Sequence, residues 1–434
     1  MAPTLECLLV PALAALRGEA PAPHPVVLQA PANLDGVGRP GPPDVKGVYG
    51  GRLDNHVDSV NFTVAWENGE GDRAAAELAS AALEDAWNAL IVDQGWTPPV
   101  SSDDYWLWVI LDPSLNGTGL TVPYTSTDYP QGYPVIFLNP DYASYTDFFR
   151  SLAAHEFMHA IQFATRDYYQ GDEETWYWEA SAEWGAELAL PSVDAYGAQS
   201  GYYSSQPELR YSSTVNFHQY GMFVLNAWID EHSGTTMQDV WTEAEGRDGE
   251  DWDVILADAT GQGVDDIWGG FTQAMATGDL REFRLYDSPN RIGGLTDGAS
   301  GSLAYLATDY YLVNDDTGVR VSGDAVLASR GGVGEAVNVY AGQTLAVTGL
   351  DPSSPASYTL TFEDFVADPD DTGLTDDTGG GTGPFKDVGG TLCGVSPGSG
   401  GAAWLALLGL LGLRRRRVTG TRSRPRPRPA TRGS

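Results

Sequence analysis

The segment HEFMH at positions 155–159 constrains this chain more than any other part of its sequence. Two imidazoles at i and i+4 leave a helix on one face about one turn apart, so both can reach one tetrahedral ion, with Glu156 beside them to hold a water there. The chain has only six His, and a chance HExxH is expected in about a few per thousand sequences of such composition. The surrounding residues, 145–166, predict a helix, with Ser144 or Asp141 available as its N-cap. Any fold adopted here must therefore bring further ligands to this helix.

A third histidine does not come from the same segment, because Gln162 and Thr165 stand where HExxHxxGxxH would place Gly and His. A carboxylate is the remaining choice. WYWEASAEW at 176–184 lies in a second predicted helix, 173–190, opened by Asp172 and closed by Pro191. If that helix packs antiparallel to the first or crosses beneath it, Glu179 closes the ligand set. Asp167 is the rival at shorter spacing. Glu183, one turn further on, reads either as an acceptor for the outer N–H of a ligating His or as a solvated surface charge, and Trp176, Trp178 and Trp184 read as core packing. His155, His159 and Glu179 are thus the expected ligands of one catalytic Zn²⁺, with Glu156 as general base. Tyr211, His218 and Tyr220 read either as candidate donors to a tetrahedral oxyanion, with Tyr220 preferred, or as ordinary core or surface rings. Asp pairs such as Asp315-Asp316 could bind Ca²⁺ but lack EF-hand spacing.

The 434 residues exceed one ordinary domain. Residues 1–50 read as a leader or pro-segment and a linker, with an apolar run from Leu8 to Leu16 that lacks a basic start. From Val57 onward come a strand at 60–66, alternating as if half-buried, a helix over 73–94 and strands at 105–111 and 133–140. The two long helices follow, and 211–280 is mostly helical. The fold class expected for 51–280 is α+β. Residues 281–365 change to short alternating runs, which predicts a small all-β, sandwich-like module. An acidic Gly/Thr/Asp-rich linker spans 366–392. Cys393 then precedes 20 uncharged residues, enough for about 30 Å of helix, and Arg414 to Arg417. Together 393–417 read as an anchor or sorting signal, and 418–434 as a basic tail.

The His155-Glu156-x-x-His159 segment followed by Trp176-x-x-Glu179-Ala180-x-Ala182 resembles the gluzincin metallopeptidases, in which the third zinc ligand is a Glu on a following helix. The order of elements from Val57 is similar to that fold. With Cys393, the apolar stretch and the Arg block, the whole chain resembles secreted metalloproteases of myxobacteria that carry a MYXO-CTERM sorting tail. The resemblance implies a zinc-dependent peptidase, secreted or anchored at the cell surface, with a peptide or protein substrate and a sorting peptidase acting near Cys393. No GxMEN-like segment of the aminopeptidase branch is present, which favours an endopeptidase. Two other readings stay open: a non-catalytic surface protein with a structural metal site, and a metallohydrolase of a non-peptide substrate. Nucleic acid is not an expected partner. The net charge is -35, and the last 21 residues contribute nine Arg and no acid, so the remainder is more acidic still and repels phosphate backbones.

Overall fold

The computed structural model describes residues 53, 55–67, 72–124, 133–166, 172–193, 199–280 and 288–366. The expected leader, Asp167, the acidic linker from 367, Cys393, and the apolar and basic segments after it lie outside them. The architecture is α+β. Five strands form the first sheet: β1 (Asn55–Asp58), β2 (Phe62–Trp66), β3 (Leu107–Leu111), β4 (Gly119–Tyr124) and β5 (Tyr133–Leu138), in the order β1-β2-β3-β5-β4. The three central strands run parallel, and β1 and β4 pair antiparallel at the edges. FTVAW, LWVIL and YPVIFL are buried at every position, as central parallel strands require. The half-buried alternation expected of 60–66 is thereby corrected. Thr63, the polar position that suggested it, is tolerated inside because its hydroxyl donates to Asp58 Oδ1 at 2.5 Å.

Helix α1 (Arg73–Trp87) runs into a π-helical turn, Asn88–Asp93, and packs on β1 and β2. Helix α2 (Thr146–Thr165) carries HEFMH and packs against α1, β4 and β5. It is buried on nearly every face from Phe149 to Gln162, so its placement comes from packing all round rather than from one apolar stripe. Neither Ser144 nor Asp141 caps it. The N-cap is Tyr145, without a side-chain bond, because the preceding 3-10 turn Pro140–Tyr142 takes its own cap from Asn139, whose side chain accepts from Asp141 N. Helix α3 (Asp172–Ala189) packs against α2 at close range. Gly185 is the residue that permits this approach: a Cβ there would lie 2.7 Å from Met158 Cγ and 2.9 Å from its sulfur.

The chain then forms α4 (Ser200–Ser204), α5 (His218–Gly221), α6 (Phe223–Trp228), α7 (Met237–Glu243), α8 (Trp252–Thr260) and α9 (Val264–Thr277). Helices α5 and α6 pack on α3, and α4 packs on α5. Asn216 and Phe217, just before α5, both have left-handed backbone (φ 53° and 65°), a costly conformation for two successive non-glycine residues.

Residues 288–366 build two sheets. One has the order β11-β10-β13-β8-β6, from β6 (Gly293–Gly294), β8 (Thr308–Leu312), β10 (Ala325–Ser329), β11 (Gly332–Gly334) and β13 (Thr344–Gly349). The other has the order β12-β9-β14-β7, from β7 (Ser300–Leu303), β9 (Thr317–Gly323), β12 (Ala336–Val339) and β14 (Ala356–Glu363). Leu327, Leu345, Val347, Val319, Val339 and Leu360 form the apolar cluster they share. Alternate residues of the first of these sheets, Tyr310, Ala328 and Ala346, join the larger core of the helical part, and α9 packs on β10 and β13. The α4 region is tied to the strands by polar bonds as well. Tyr203 Oη and Tyr310 Oη are 2.9 Å apart, Asn290 N donates to Ser204 O, and Thr308 N donates to Pro207 O.

Candidate metal centre

The crossing of α2 and α3 brings three sequence-distant side chains together. His155 Nε2 lies 3.2 Å and His159 Nε2 3.5 Å from the same oxygen, Glu179 Oε2. The ligand atoms that the three residues offer all lie within 4.8 Å of one another. A tetrahedral ion with bonds of ~2.1 Å separates its ligand atoms by about 3.4 Å, so both His–Glu separations suit one small cation. All three residues are 2% exposed or less.

The outer ring nitrogens are also engaged. His155 Nδ1 is 3.2 Å from Glu183 Oε2, and His159 Nδ1 is 2.6 Å from Gln162 Oε1. The amide of Gln162 has a fixed sense, since its Nε2 donates to Trp178 O at 3.0 Å and to Ser181 Oγ at 2.9 Å. Its Oε1 is therefore an acceptor, and His159 Nδ1 must donate. Glu183 imposes the same tautomer on His155. Both Nε2 lone pairs then face a carboxylate oxygen, and three convergent acceptors require a cation among them. Without a metal, a proton fills that need. Burial would depress the His155 imidazole, but the carboxylates of Glu179 and Glu183 overcome it and raise its pKa. Burial would likewise raise Glu179, yet hydrogen bonds and charge from His155 and His159 hold it below the usual carboxylate range.

Glu156 is buried beside this cluster. Its Oε2 accepts from Thr121 Oγ1 at 2.8 Å, whereas Oε1 has no hydrogen-bond partner among the described residues. An orphaned buried carboxylate oxygen is costly, and a ligand or water at the site would relieve the cost. Desolvation raises its pKa, against the opposing influence of His159, His155 and the Thr121 hydroxyl.

Of the three candidate oxyanion donors, the structure brings Tyr220 to the cluster, with ring centroids 6.1 Å apart from His155. Tyr211 is turned into the core among Trp176, Trp268 and Tyr305, and its hydroxyl donates to Glu173 at 3.3 Å. His218 is buried beside Tyr203, with the Tyr202 backbone as a polar neighbour of its ring. Trp176, Trp178 and Trp184 are all core residues, and the Trp178 ring stacks on His159. Two residues near the site had no such role in the sequence reading. Thr121 lies on β4, inside a Gly/Thr/Tyr-rich stretch where Gly119 and Pro123 obscure the alternation of Leu120, Val122 and Tyr124. Gln162 stood out there only as a departure from a three-His pattern, although its i+3 spacing from His159 on one helix was a usable sign.

Fold and site together define an α+β protein with a buried His₂Glu cluster able to hold a metal ion. The chain belongs to a family of unknown function, DUF6055, which matches residues 52–323. That match contains the entire cluster and continues from the helical part through β9. No curated protein matches the chain.

Proposed function

We propose that the protein is a zinc-dependent peptidase of the gluzincin type, with an endopeptidase the preferred form. The observation that carries the reading is the pairing of a His₂Glu cluster with a separate carboxylate, Glu156, whose Oε1 has no partner among the described residues. A purely structural site needs no base beside the metal. The zincin-type fold is supported by the order of strand, helix, mixed sheet, HEFMH helix and glutamate helix. His155, His159 and Glu179 would hold the ion, and two imidazoles with one carboxylate form a donor set that suits Zn²⁺. When bound, Zn²⁺ supplies Lewis acidity, polarising a carbonyl and acidifying water toward neutral pH. The chain's own residues do the rest. Glu156 takes the proton of the attacking water at Oε1 and returns it to the leaving nitrogen. Tyr220 donates to the developing oxyanion. Glu183 and Gln162 keep both imidazoles in the tautomer that presents Nε2. Secretion, surface attachment and processing near Cys393 rest on the sequence of the C-terminal segment.

The complete burial of the three ligands favours a second reading, a structural metal in a non-catalytic surface protein. The decisive experiment combines metal analysis of the purified protein with hydrolysis of an unbiased peptide library, for the parent and for Glu156→Gln. The peptidase reading expects zinc in both proteins and a loss of several orders of magnitude in rate in the variant. Cleavage by the variant at the parental rate would refute the role of Glu156. A parent that holds zinc and cleaves nothing would establish the structural alternative.

A further inference from the structure

Strand β4 is the edge of the first sheet, and it packs against α2, the helix that carries Glu156. Thr121 and Gly119, two residues apart on this strand, share one face of it. Thr121 Oγ1 is 2.8 Å from Glu156 Oε2 and 2.8 Å from the Glu156 backbone carbonyl. A hydroxyl has one proton to donate, and an ionised carboxylate is the stronger acceptor. The second oxygen sits where a side chain at position 119 would be. A Cβ on Gly119 would lie 2.4 Å from Glu156 Oε1, 2.9 Å from its carboxyl carbon and 2.8 Å from Leu152 Cδ1. Gly119 lacks the positive φ that would demand glycine for backbone reasons, so the close approach of β4 to the carboxylate is what the missing side chain serves. The carboxylate is thus tied at one oxygen and given room at the other.

We infer that β4 is the positioning element for Glu156: the Thr121 hydroxyl fixes Oε2, and the bare Cα of Gly119 provides the space in which Oε1 is aimed. The inference rests on the peptidase reading for its consequence, since a general base must hold its accepting oxygen within ~2.6–3.2 Å of the proton it takes. A carboxylate free to rotate about its terminal torsion meets that requirement only part of the time. Thr121 and Gly119 act through Glu156 and need not touch substrate. Neither belongs to the ligand set, so metal binding is expected to survive their replacement.

The test uses the full zinc-loaded chain with Thr121→Val, Thr121→Ser, Gly119→Ala and Glu156→Gln. Thr121→Val keeps the shape and removes the donor. It is expected to lower kcat by roughly ten- to hundredfold with KM and zinc content unchanged, as displacing a supporting group does. Thr121→Ser restores the donor and is expected to stay within about threefold of the parent. Gly119→Ala is expected to lower kcat in the same way, by displacing Oε1. Crystal structures of the parent and of Thr121→Val give a readout independent of activity, with the Glu156 carboxylate turned away in the variant. An unmoved carboxylate in Thr121→Val, or a parental kcat in that variant while Glu156→Gln is inactive, overturns the positioning role and leaves the peptidase reading intact. If Glu156→Gln is as active as the parent, the peptidase reading fails, and the orientation of Glu156 in the two crystal structures still decides what Thr121 does.

Discussion

His218 offers a test of the packing around the site that depends on no metal. The ring, at the start of α5, is buried against Tyr203 of α4, and burial pushes its pKa down from 6.5 to about 4, with the nearby Tyr202 backbone opposing only in part. The folded chain therefore keeps this imidazole neutral to about pH 4, while the unfolded chain protonates it near its ordinary value. Between those values the unfolded state binds more protons, so stability rises with pH. The contribution is fully present above pH 6.5 and is lost as pH falls toward 4. A displacement from 6.5 to about 4 corresponds to roughly 3 kcal/mol, at ~1.4 kcal/mol per pKa unit. Urea unfolding of the parent and of His218→Gln, from pH 7.5 to 4 with a chelator present, isolates this share because the other carboxylates and histidines are common to both. The parent is expected to lose about 3 kcal/mol more than the variant over that range. Parallel stability curves would refute the claim that His218 is held neutral by the fold.

Two further outcomes are expected. In metal titrations, His155→Ala, His159→Ala and Glu179→Ala lose the ion. Glu183→Ala and Gln162→Leu retain it with affinity weaker by roughly ten- to hundredfold, because each removes the acceptor of one ligating imidazole; full metal loss in Glu183→Ala, with retention in Glu179→Ala, would reverse the two roles. For the C-terminal segment, mass spectrometry of the cell-surface fraction should find mature protein that lacks residues 414–434, and Cys393→Ala should block that processing; tail peptides in that fraction would leave an ordinary membrane anchor as the explanation.

The residues that contact one another within a helix turn were the legible ones. His155 and His159 are one turn apart, as are Glu179 and Glu183, and the periodicity of the two segments placed each pair on one face. The relation between the pairs was readable as chemistry, since a metal site lacking a third His needs a carboxylate. The geometry that joins them depends on Gly185 meeting Met158, a contact between helices that no periodicity encodes. Strand β4 was missed because Gly119 and Pro123 break into the alternation of Leu120, Val122 and Tyr124, a combination tolerated at a sheet edge. Its service to Glu156 spans 35 positions. Tyr211, His218 and Tyr220 looked alike in sequence, as three polar-tipped rings in one short stretch. What separates them is tertiary packing: Tyr211 lies among Trp176, Trp268 and Tyr305, His218 lies against Tyr203 of α4, and Tyr220 lies beside His155, with α4 itself held by residues near 300.

That dependence has a consequence for the order in which the chain is made. All the side chains of the metal cluster, and Tyr220, have been synthesised once residue 220 is added. The strand that braces α4, and through it α5, is incomplete until Tyr310 and its neighbours follow. At about 5–20 residues per second, the delay on the ribosome is roughly 5–20 s. During it the chain has the three residues of the His₂Glu cluster but not Tyr310. The contact of Tyr203 with Tyr310 thus belongs to the last part of the described fold to be synthesised.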